Sequence, residues 1–152
     1  MKGPLFYSKI LLFGEYGIIE DSKGLSIPYN FFNGALKISE SSDEEAKKSN
    51  LILSQFSAHL KTLDIDLDLN SFDNHIKKGM YFDSSIPKGY GVGSSGALVA
   101  AVYEKYANNK ITVLENLTRE KLLSLKEIFS KMESFFHGKS SGLDPLTSYL
   151  II

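Results

Sequence analysis

Apolar and polar residues divide this chain into short apolar runs and longer periodic segments. The short runs are rich in aliphatic and aromatic side chains, a composition typical of strands. Strands are predicted over 5–20 (two strands joined near Gly14), 26–29, 35–39, 63–70 and 80–86. Asn33-Gly34 predicts a hairpin turn between the strands at 26–29 and 35–39, because this dipeptide adopts the required backbone conformation easily.

Helical periodicity predicts about three longer helices mixed with these strands. In the first, Ser42 caps the helix with Glu45 as its capping-box partner, Leu51 lies among the apolar residues, and the helix stops near Thr62. The second is rich in small residues and ends near Tyr106. The third covers 119–136 with a broad apolar stripe that includes Leu123. The final residues are typical of a short helix over 144–150 or of a run into a strand at 150–152.

Composition excludes several classes of function. The chain has 152 residues, a formal net charge of −1 and no cysteine. The length predicts one domain, the scattered charges favour neither nucleic acid nor an anionic membrane, and the missing thiols exclude cysteine chemistry. No apolar run is long enough to span a membrane. We therefore expect a cytoplasmic protein. A homodimer is one option for its assembly.

The spaced aspartates at 64, 66 and 68 resemble the start of a calcium loop. Leu69 stands where such a loop needs glycine, and His75 stands where it needs glutamate. We therefore interpret the aspartates as the solvent face of a strand. His59 and His75 lack metal-ligand partners at useful spacing and are predicted to be ordinary polar positions.

A glycine-rich turn followed directly by a helix is the most informative feature of the sequence. It reads Pro87-Lys88-Gly89-Tyr90-Gly91-Val92-Gly93-Ser94-Ser95-Gly96. Alternate glycines allow the backbone to approach a ligand closely, and the unpaired N–H groups of the first helical turn favour an anion such as phosphate. The turn lacks the lysine of a Walker loop and the acidic ribose contact of a dinucleotide site. A tight structural turn remains the alternative at this point.

Three ordered motifs resemble the galactokinase, homoserine kinase, mevalonate kinase and phosphomevalonate kinase superfamily, the GHMP kinases. The glycine-rich turn resembles the ATP loop of that family. The segment 9–16, Lys-Ile-Leu-Leu-Phe-Gly-Glu-Tyr, resembles its first motif, and the segment 133–144, Glu-Ser-Phe-Phe-His-Gly-Lys-Ser-Ser-Gly-Leu-Asp, resembles the magnesium and catalytic segment of mevalonate kinases. These motifs span almost the whole chain.

The resemblance implies roles for individual residues. The ATP-loop positions are Pro87, Gly89, Gly91, Val92, Gly93, Ser94, Ser95 and Gly96. Ser95 and Glu133 match the family's Mg²⁺ ligands, Asp144 matches its catalytic carboxylate, and Lys9 matches the lysine that keeps this carboxylate ionised. From the residues alone, Ser95 could be only a helix cap, Glu133 a surface helix residue and Lys9 an exposed strand lysine. Asp144 could likewise be an N-cap with Pro145 as the first helical residue.

The acceptor side of the implied site contains Glu15, Tyr16 and His137. Many mevalonate kinases have histidine where this chain has Tyr16, although a tyrosine can still form hydrogen bonds. Gly96 occupies a position where alanine is usual, and the start of the helix should tolerate glycine. His137 followed by Gly138 is typical of mevalonate kinases and favours that member of the family.

The implied fold is α+β, a sandwich of a mixed sheet and helices like domain 2 of ribosomal protein S5. Residues 1–152 would be the N-terminal domain of the family, with the C-terminal domain absent from this chain, so that the chain alone would turn over poorly. The implied function is ATP- and Mg²⁺-dependent phosphorylation of mevalonate in isoprenoid precursor synthesis. Phosphomevalonate kinase or another GHMP small-molecule kinase is the first alternative, and a non-catalytic nucleotide-binding domain is the second.

Overall fold

The computed structural model describes residues 4–13, 25–38, 43–86, 94–112 and 117–150, with the backbone alone described over 7–13 and 25–32. These ranges form three strands and five helices, an α+β arrangement, where the sequence predicted only about three helices. In chain order they are β1 (Phe6–Phe13), β2 (Leu25–Ile38), α1 (Glu44–Leu60), α2 (Leu69–Lys77), β3 (Met80–Ser84), α3 (Ser94–Tyr106), α4 (Arg119–His137) and α5 (Leu143–Leu150).

The described strands form one antiparallel sheet in the order β1-β2-β3. The predicted hairpin turn at Asn33-Gly34 is wrong, because β2 continues straight through it and Gly34 pairs with both Phe6 and Ser84. A Cβ on Gly34 would lie 2.3 Å from Phe82 Cζ, so this glycine accommodates an aromatic ring of the neighbouring strand instead of turning the chain. The mixed sheet stays a prediction, as does the strand expected over 14–20, which lies outside the described residues.

Helix α1 begins one residue later than the capping-box prediction. Asp43 is the N-cap, and its carboxylate accepts a hydrogen bond from the backbone N–H of Glu45 at 3.3 Å. The predicted cap, Ser42, lies outside the described residues. The predicted stop near Thr62 is confirmed, since the C-cap is Lys61. Leu51 was predicted on the apolar face but is 59% exposed, so the buried face of α1 includes fewer residues than its apolar pattern predicted.

The segment 63–70 is not the predicted strand. It forms one isolated bridge, between Leu67 and Ala107, and then enters α2, which the sequence analysis missed. Asp68 is the N-cap of α2, with its carboxylate accepting from the Ser71 N–H at 3.1 Å. The three aspartates are solvent-exposed as expected, while the intervening apolar residues are half-buried. The segment 63–70 therefore does alternate between half-buried apolar and exposed polar residues, but it is an extended connection and not a paired strand.

Asp73 joins α2 to α1. Its carboxylate accepts hydrogen bonds from the Lys61 ammonium at 2.6 Å and from the buried hydroxyl of Ser57. Burial raises the pKa of Asp73, but the hydrogen bonds from Lys61 and Ser57 and the positive charges of Lys61 and Lys77 together hold that pKa below its usual value. The ionised carboxylate therefore stabilises the packing of the two helices.

Helices α3, α4 and α5 share an aromatic centre. Tyr103, Phe129 and Tyr149 contribute one ring each, with centroids 5.1–5.5 Å apart and edge-to-face orientations. Such pairs contribute about 0.5–1.5 kcal/mol beyond their buried area. The backbone of Ile111 also bonds both tyrosines: its N–H donates to Tyr103 and its carbonyl accepts from Tyr149. These contacts hold three helices in a fixed mutual arrangement.

The remaining predicted elements are confirmed. The strand over 80–86 is β3, the helix after the glycine-rich turn is α3, and the helix over 119–136 is α4. The segment 144–150 is helical, as α5, while residues 151 and 152 lie outside the described part. On α4, Leu123 was placed on the apolar stripe but is 55% exposed, and Leu125 is buried in its stead. Among the described helices, none combines the length and the apolar character needed to cross a membrane.

Candidate functional site

The ends of three helices meet at one place. The N-terminus of α3 lies directly against the start of α5, since a Cβ added to Gly96 would be 2.8 Å from both the carbonyl carbon and the Cβ of Asp144. The same Cβ would lie 3.0 Å from Pro145 N. The last turn of α4 completes the group with Glu133 and His137. The sequence predicted only that the helix start tolerates glycine at position 96. The structure shows that the close approach of α5 requires a residue without a side chain there.

Ser95 links the start of α3 to the end of α4. Its hydroxyl donates to Glu133 Oε2 at 3.1 Å and lies 2.9 Å from His137 Nε2. A serine hydroxyl has one proton, which the bond to Glu133 uses, so the second bond requires a proton on His137 Nε2. The side chain of Ser95 thus bridges two helices.

Glu133 is a buried carboxylate and not the surface residue of the alternative interpretation. It is 3% exposed, and both of its oxygens are bonded, Oε2 to Ser95 and Oε1 to the hydroxyl of Ser140. Burial raises the pKa of Glu133 above its usual value, and the negative charge of Asp144 adds to this, against the opposing hydrogen bonds. A positive charge between Glu133 and Asp144 would relieve the repulsion between these two carboxyl groups.

The segment between α4 and α5 is held by hydrogen bonds and by two left-handed glycines. Gly138 ends α4 with φ +70° and donates to the Ser134 carbonyl at 2.8 Å. Gly142 has φ +78°, and a Cβ there would lie 2.1 Å from the Lys126 carbonyl oxygen. This second glycine lets the chain pass against α4 immediately before Asp144, which fixes where α5 begins.

Asp144 lies in the first turn of α5 and is not its N-cap, because the helix already begins at Leu143. The predicted capping role with Pro145 as first helical residue is therefore wrong. Lys9 lies on β1, where its backbone pairs with Pro28. Strand β1 contacts both α3 and α5, so the backbone of Lys9 belongs to a strand beside the site, while its side chain lies outside the described atoms.

A cavity of about 430 Å³ opens beside the N-terminus of α3. Its size is in the range of small-molecule sites. Its polar lining includes Ser94, Ser95 and His137 and also three carboxylates, those of Asp43, Glu45 and Asp83. The apolar lining consists of Ala46, Ile52, Phe82, Ile86, Leu98 and Phe136. The described lining contains no lysine or arginine, so a bound anion would depend on the N–H groups at the start of α3.

A family model for the GHMP kinases N terminal domain matches residues 51–150. The chain belongs to the GHMP kinase family. Members of this family are ATP-dependent small-molecule kinases that use Mg²⁺. No curated protein and no solved structure matches the chain at a significant level.

The donor atoms at the helix junction fit the Mg²⁺ that GHMP kinases use. Ser95 Oγ and Glu133 Oε2 are hard oxygen donors 3.1 Å apart. Neighbouring oxygens on one octahedral Mg²⁺ at about 2.1 Å lie about 3.0 Å from each other, so these two atoms could bind the same ion. Within the described ranges, no group of three or more His, Cys, Asp or Glu could hold a metal. The other ligands would come from nucleotide phosphates and water, as is usual for Mg²⁺ in kinases.

The structure brings together five of the predicted site residues, and it places Ser94 and the backbone of Lys9 nearby. Ser95, Gly96, Glu133, His137 and Asp144 meet at the helix junction, and Ser94 lines the adjoining cavity. The predicted residues outside the described part are Glu15, Tyr16, Pro87, Gly89, Gly91, Val92 and Gly93.

Sequence reasoning missed Ser140. This residue lies inside the quoted magnesium and catalytic segment, but no sequence signal shows that its hydroxyl faces Glu133, seven positions earlier. The two predicted polar histidines are confirmed as such. His59 lies 3.3 Å from the Ser134 hydroxyl, and His75 lies 2.8 Å from the Tyr106 hydroxyl.

Proposed function

We propose that this GHMP kinase family member phosphorylates the hydroxyl of mevalonate with ATP, a step of isoprenoid precursor synthesis. The observation that carries the proposal is the junction of Asp144 with the N-terminus of α3, where Gly96 leaves no space between them. A carboxylate for the acceptor hydroxyl and a helix end for phosphate are thereby side by side. The choice of mevalonate rests on the resemblance of the segment 133–144 to mevalonate kinases.

In the proposed reaction the acceptor hydroxyl oxygen attacks the γ-phosphorus of ATP. A bond forms between these atoms, the bond from the γ-phosphorus to the bridging oxygen breaks, and ADP leaves. The hydroxyl proton passes to the carboxylate of Asp144, which also orients the attacking oxygen. Bound Mg²⁺ would neutralise phosphate charge, held by Ser95 and Glu133. Lys9, by its place on β1, would keep Asp144 ionised.

The cavity beside α3 supplies a place for the nucleoside. Its apolar walls suit a base, which would leave the phosphates beside Ser94 and Ser95. Backbone N–H groups at the start of α3 then face the negative charge, as expected for a phosphate site without lysine. On the acceptor side, Glu15, Tyr16 and His137 would contact the alcohol.

The fold proposal follows the same resemblance. We propose that the whole domain has the arrangement of ribosomal protein S5 domain 2, with residues 1–152 as the N-terminal unit of the kinase. The antiparallel strands and the packing of α3 and α5 beside β1 support an arrangement of sheet and helices of this kind.

The test is ADP release from ATP and Mg²⁺ by the full-length protein, with mevalonate, phosphomevalonate, homoserine and galactose compared. D144N removes the proposed base and should abolish turnover. D66N is the matched control, since Asp66 is an exposed carboxylate bonded to Asn108 and Asn109, away from the site. Turnover on mevalonate alone, lost only in D144N, is the expected result.

Other outcomes separate the alternatives. Turnover on phosphomevalonate or another alcohol would retain the mechanism and change the substrate. ATP binding without turnover on any acceptor would refute the mevalonate assignment and favour the non-catalytic nucleotide-binding domain.

A further inference from the structure

Ser140 connects the buried carboxylate of Glu133 to the turn that precedes Asp144. Its hydroxyl donates to Glu133 Oε1 and accepts from the Gly142 N–H at 3.1 Å. Its own carbonyl accepts a hydrogen bond from the Ser130 hydroxyl of α4. The residue is half-buried and tied to α4 by both its side chain and its backbone, so its hydroxyl has one well-defined place.

The two oxygens of Glu133 have different partners. Oε1 is bound by Ser140, and Oε2 faces Ser95 at the start of α3. Rotation about the terminal torsion of a glutamate is only weakly restricted by its own covalent structure. The hydrogen bond from Ser140 therefore fixes the orientation of the carboxylate, so that its other oxygen faces Ser95.

We propose that Ser140 is a positioning residue for the divalent cation of the nucleotide complex, an inference that rests on the proposed function. By holding Oε1, it keeps Oε2 beside Ser95 Oγ, the pair of oxygens whose separation suits one Mg²⁺. By accepting from Gly142, it also joins this carboxylate to the backbone turn two residues before Asp144. Partners of ligating groups typically change metal affinity or activity by about 10-fold to 100-fold when removed.

A purely structural role would have a different signature. In that case the same hydrogen bonds would stabilise the connection between α4 and α5 and would have no effect on the cation. Removal of the hydroxyl would then lower the stability of the fold, while the folded protein would respond to the cation as before. The readout must therefore report the effect of the cation on folded protein and not activity alone.

The experiment measures ADP binding to the full chain by calorimetry, without and with Mn²⁺ as the probe cation. The ratio of the two dissociation constants gives the tightening due to the cation, and it does not depend on the fraction of folded protein. S140A should reduce this ratio about 10-fold. S140T, which keeps a hydroxyl, should restore it. S134A is the matched control, because Ser134 neighbours Glu133 on α4 but bonds Lys131 and His59.

A wild-type ratio in S140A would overturn the inference. The variant E133Q tests the proposed function separately. A wild-type ratio in E133Q would show that the cation does not bind Glu133, and the proposed role of Ser140 would then also be wrong. If S140A does not fold, S140C takes its place, since a thiol occupies the position of the hydroxyl but donates only weakly. A reduced ratio in S140C supports the inference, and an unchanged ratio refutes it.

Discussion

The contact between Gly96 and Asp144 predicts a penalty for a substitution that helix propensity alone would favour. In Gly96→Ala the new Cβ would lie 2.8 Å from two atoms of Asp144, and ordinary contact begins at 3.4 Å, so α3 and α5 must separate by about 0.6 Å. Overpacking of this kind costs about 1–3 kcal/mol, and replacing a helical glycine with alanine returns about 1 kcal/mol. We expect a net loss of about 0–2 kcal/mol in the free energy of unfolding.

A second effect should fall on catalysis. A misplacement of about 1 Å can cost about 100-fold in rate, so a separation of about 0.6 Å should lower kcat about 10-fold. Urea unfolding measures the stability, and initial rates of ADP release measure kcat. Gly138→Ala is the control, because a Cβ there meets nothing within 4 Å and only the left-handed backbone is strained. A Gly96→Ala protein with unchanged kcat and increased stability would refute the reasoning.

Three further predictions concern the supports of the site. Gly142→Ala should destabilise the fold by about 3 kcal/mol or more, because left-handed strain adds to the clash with the Lys126 carbonyl; a loss no larger than that of the control at Gly138 would contradict this. Tyr149→Phe should cost about 1 kcal/mol in urea unfolding by removing the 2.7 Å bond to the Ile111 carbonyl, and an unchanged unfolding curve would count against that bond. Because the pKa of Asp73 is lower in the folded state, its stabilisation is complete above about pH 4 and is lost as the pH falls through the folded pKa. The stability difference between wild type and Asp73→Asn should therefore shrink between pH 7 and pH 3, whereas a constant difference would exclude the ionised carboxylate as its cause.

Elements with strong local periodicity could be predicted from the sequence. Helix α4 was predicted within one residue because its apolar residues recur at helical spacing over a long run, and α3 because a glycine-rich turn precedes a series of small apolar residues. Both signals act within a few residues of the element they define. The short helix α5 was predicted as one of two options, and only its packing against α3 decides the choice.

Elements that depend on distant contacts could not be predicted in this way. Gly34 carries a strong local turn signal, but the ring of Phe82, 48 positions later, occupies the space beside it and keeps the strand continuous. The alternation over 63–70 is the same for a paired strand and for an unpaired extended segment. Whether such a segment finds a partner strand depends on the whole fold and not on its own pattern.

The candidate site could likewise be predicted only in part. The resemblance of the motifs to GHMP kinases implied that Ser95, Glu133 and Asp144 belong to one site, and the structure places them together at the helix junction. The burial of Glu133 and its bond to Ser140 depend on how α4 lies against α3 and α5. Chemical identity is therefore readable from the sequence, whereas the surroundings that tune each group belong to tertiary packing.

The aromatic centre formed by Tyr103, Phe129 and Tyr149 has a consequence for how the site opens. Each ring comes from one of the three helices whose ends form the helix junction. Helices that share such a core exchange their amide hydrogens as one cooperative unit, at a free energy close to that of global unfolding. We therefore expect the described junction to open only when its three helices separate. A ligand would then meet a geometry that already exists in the resting protein.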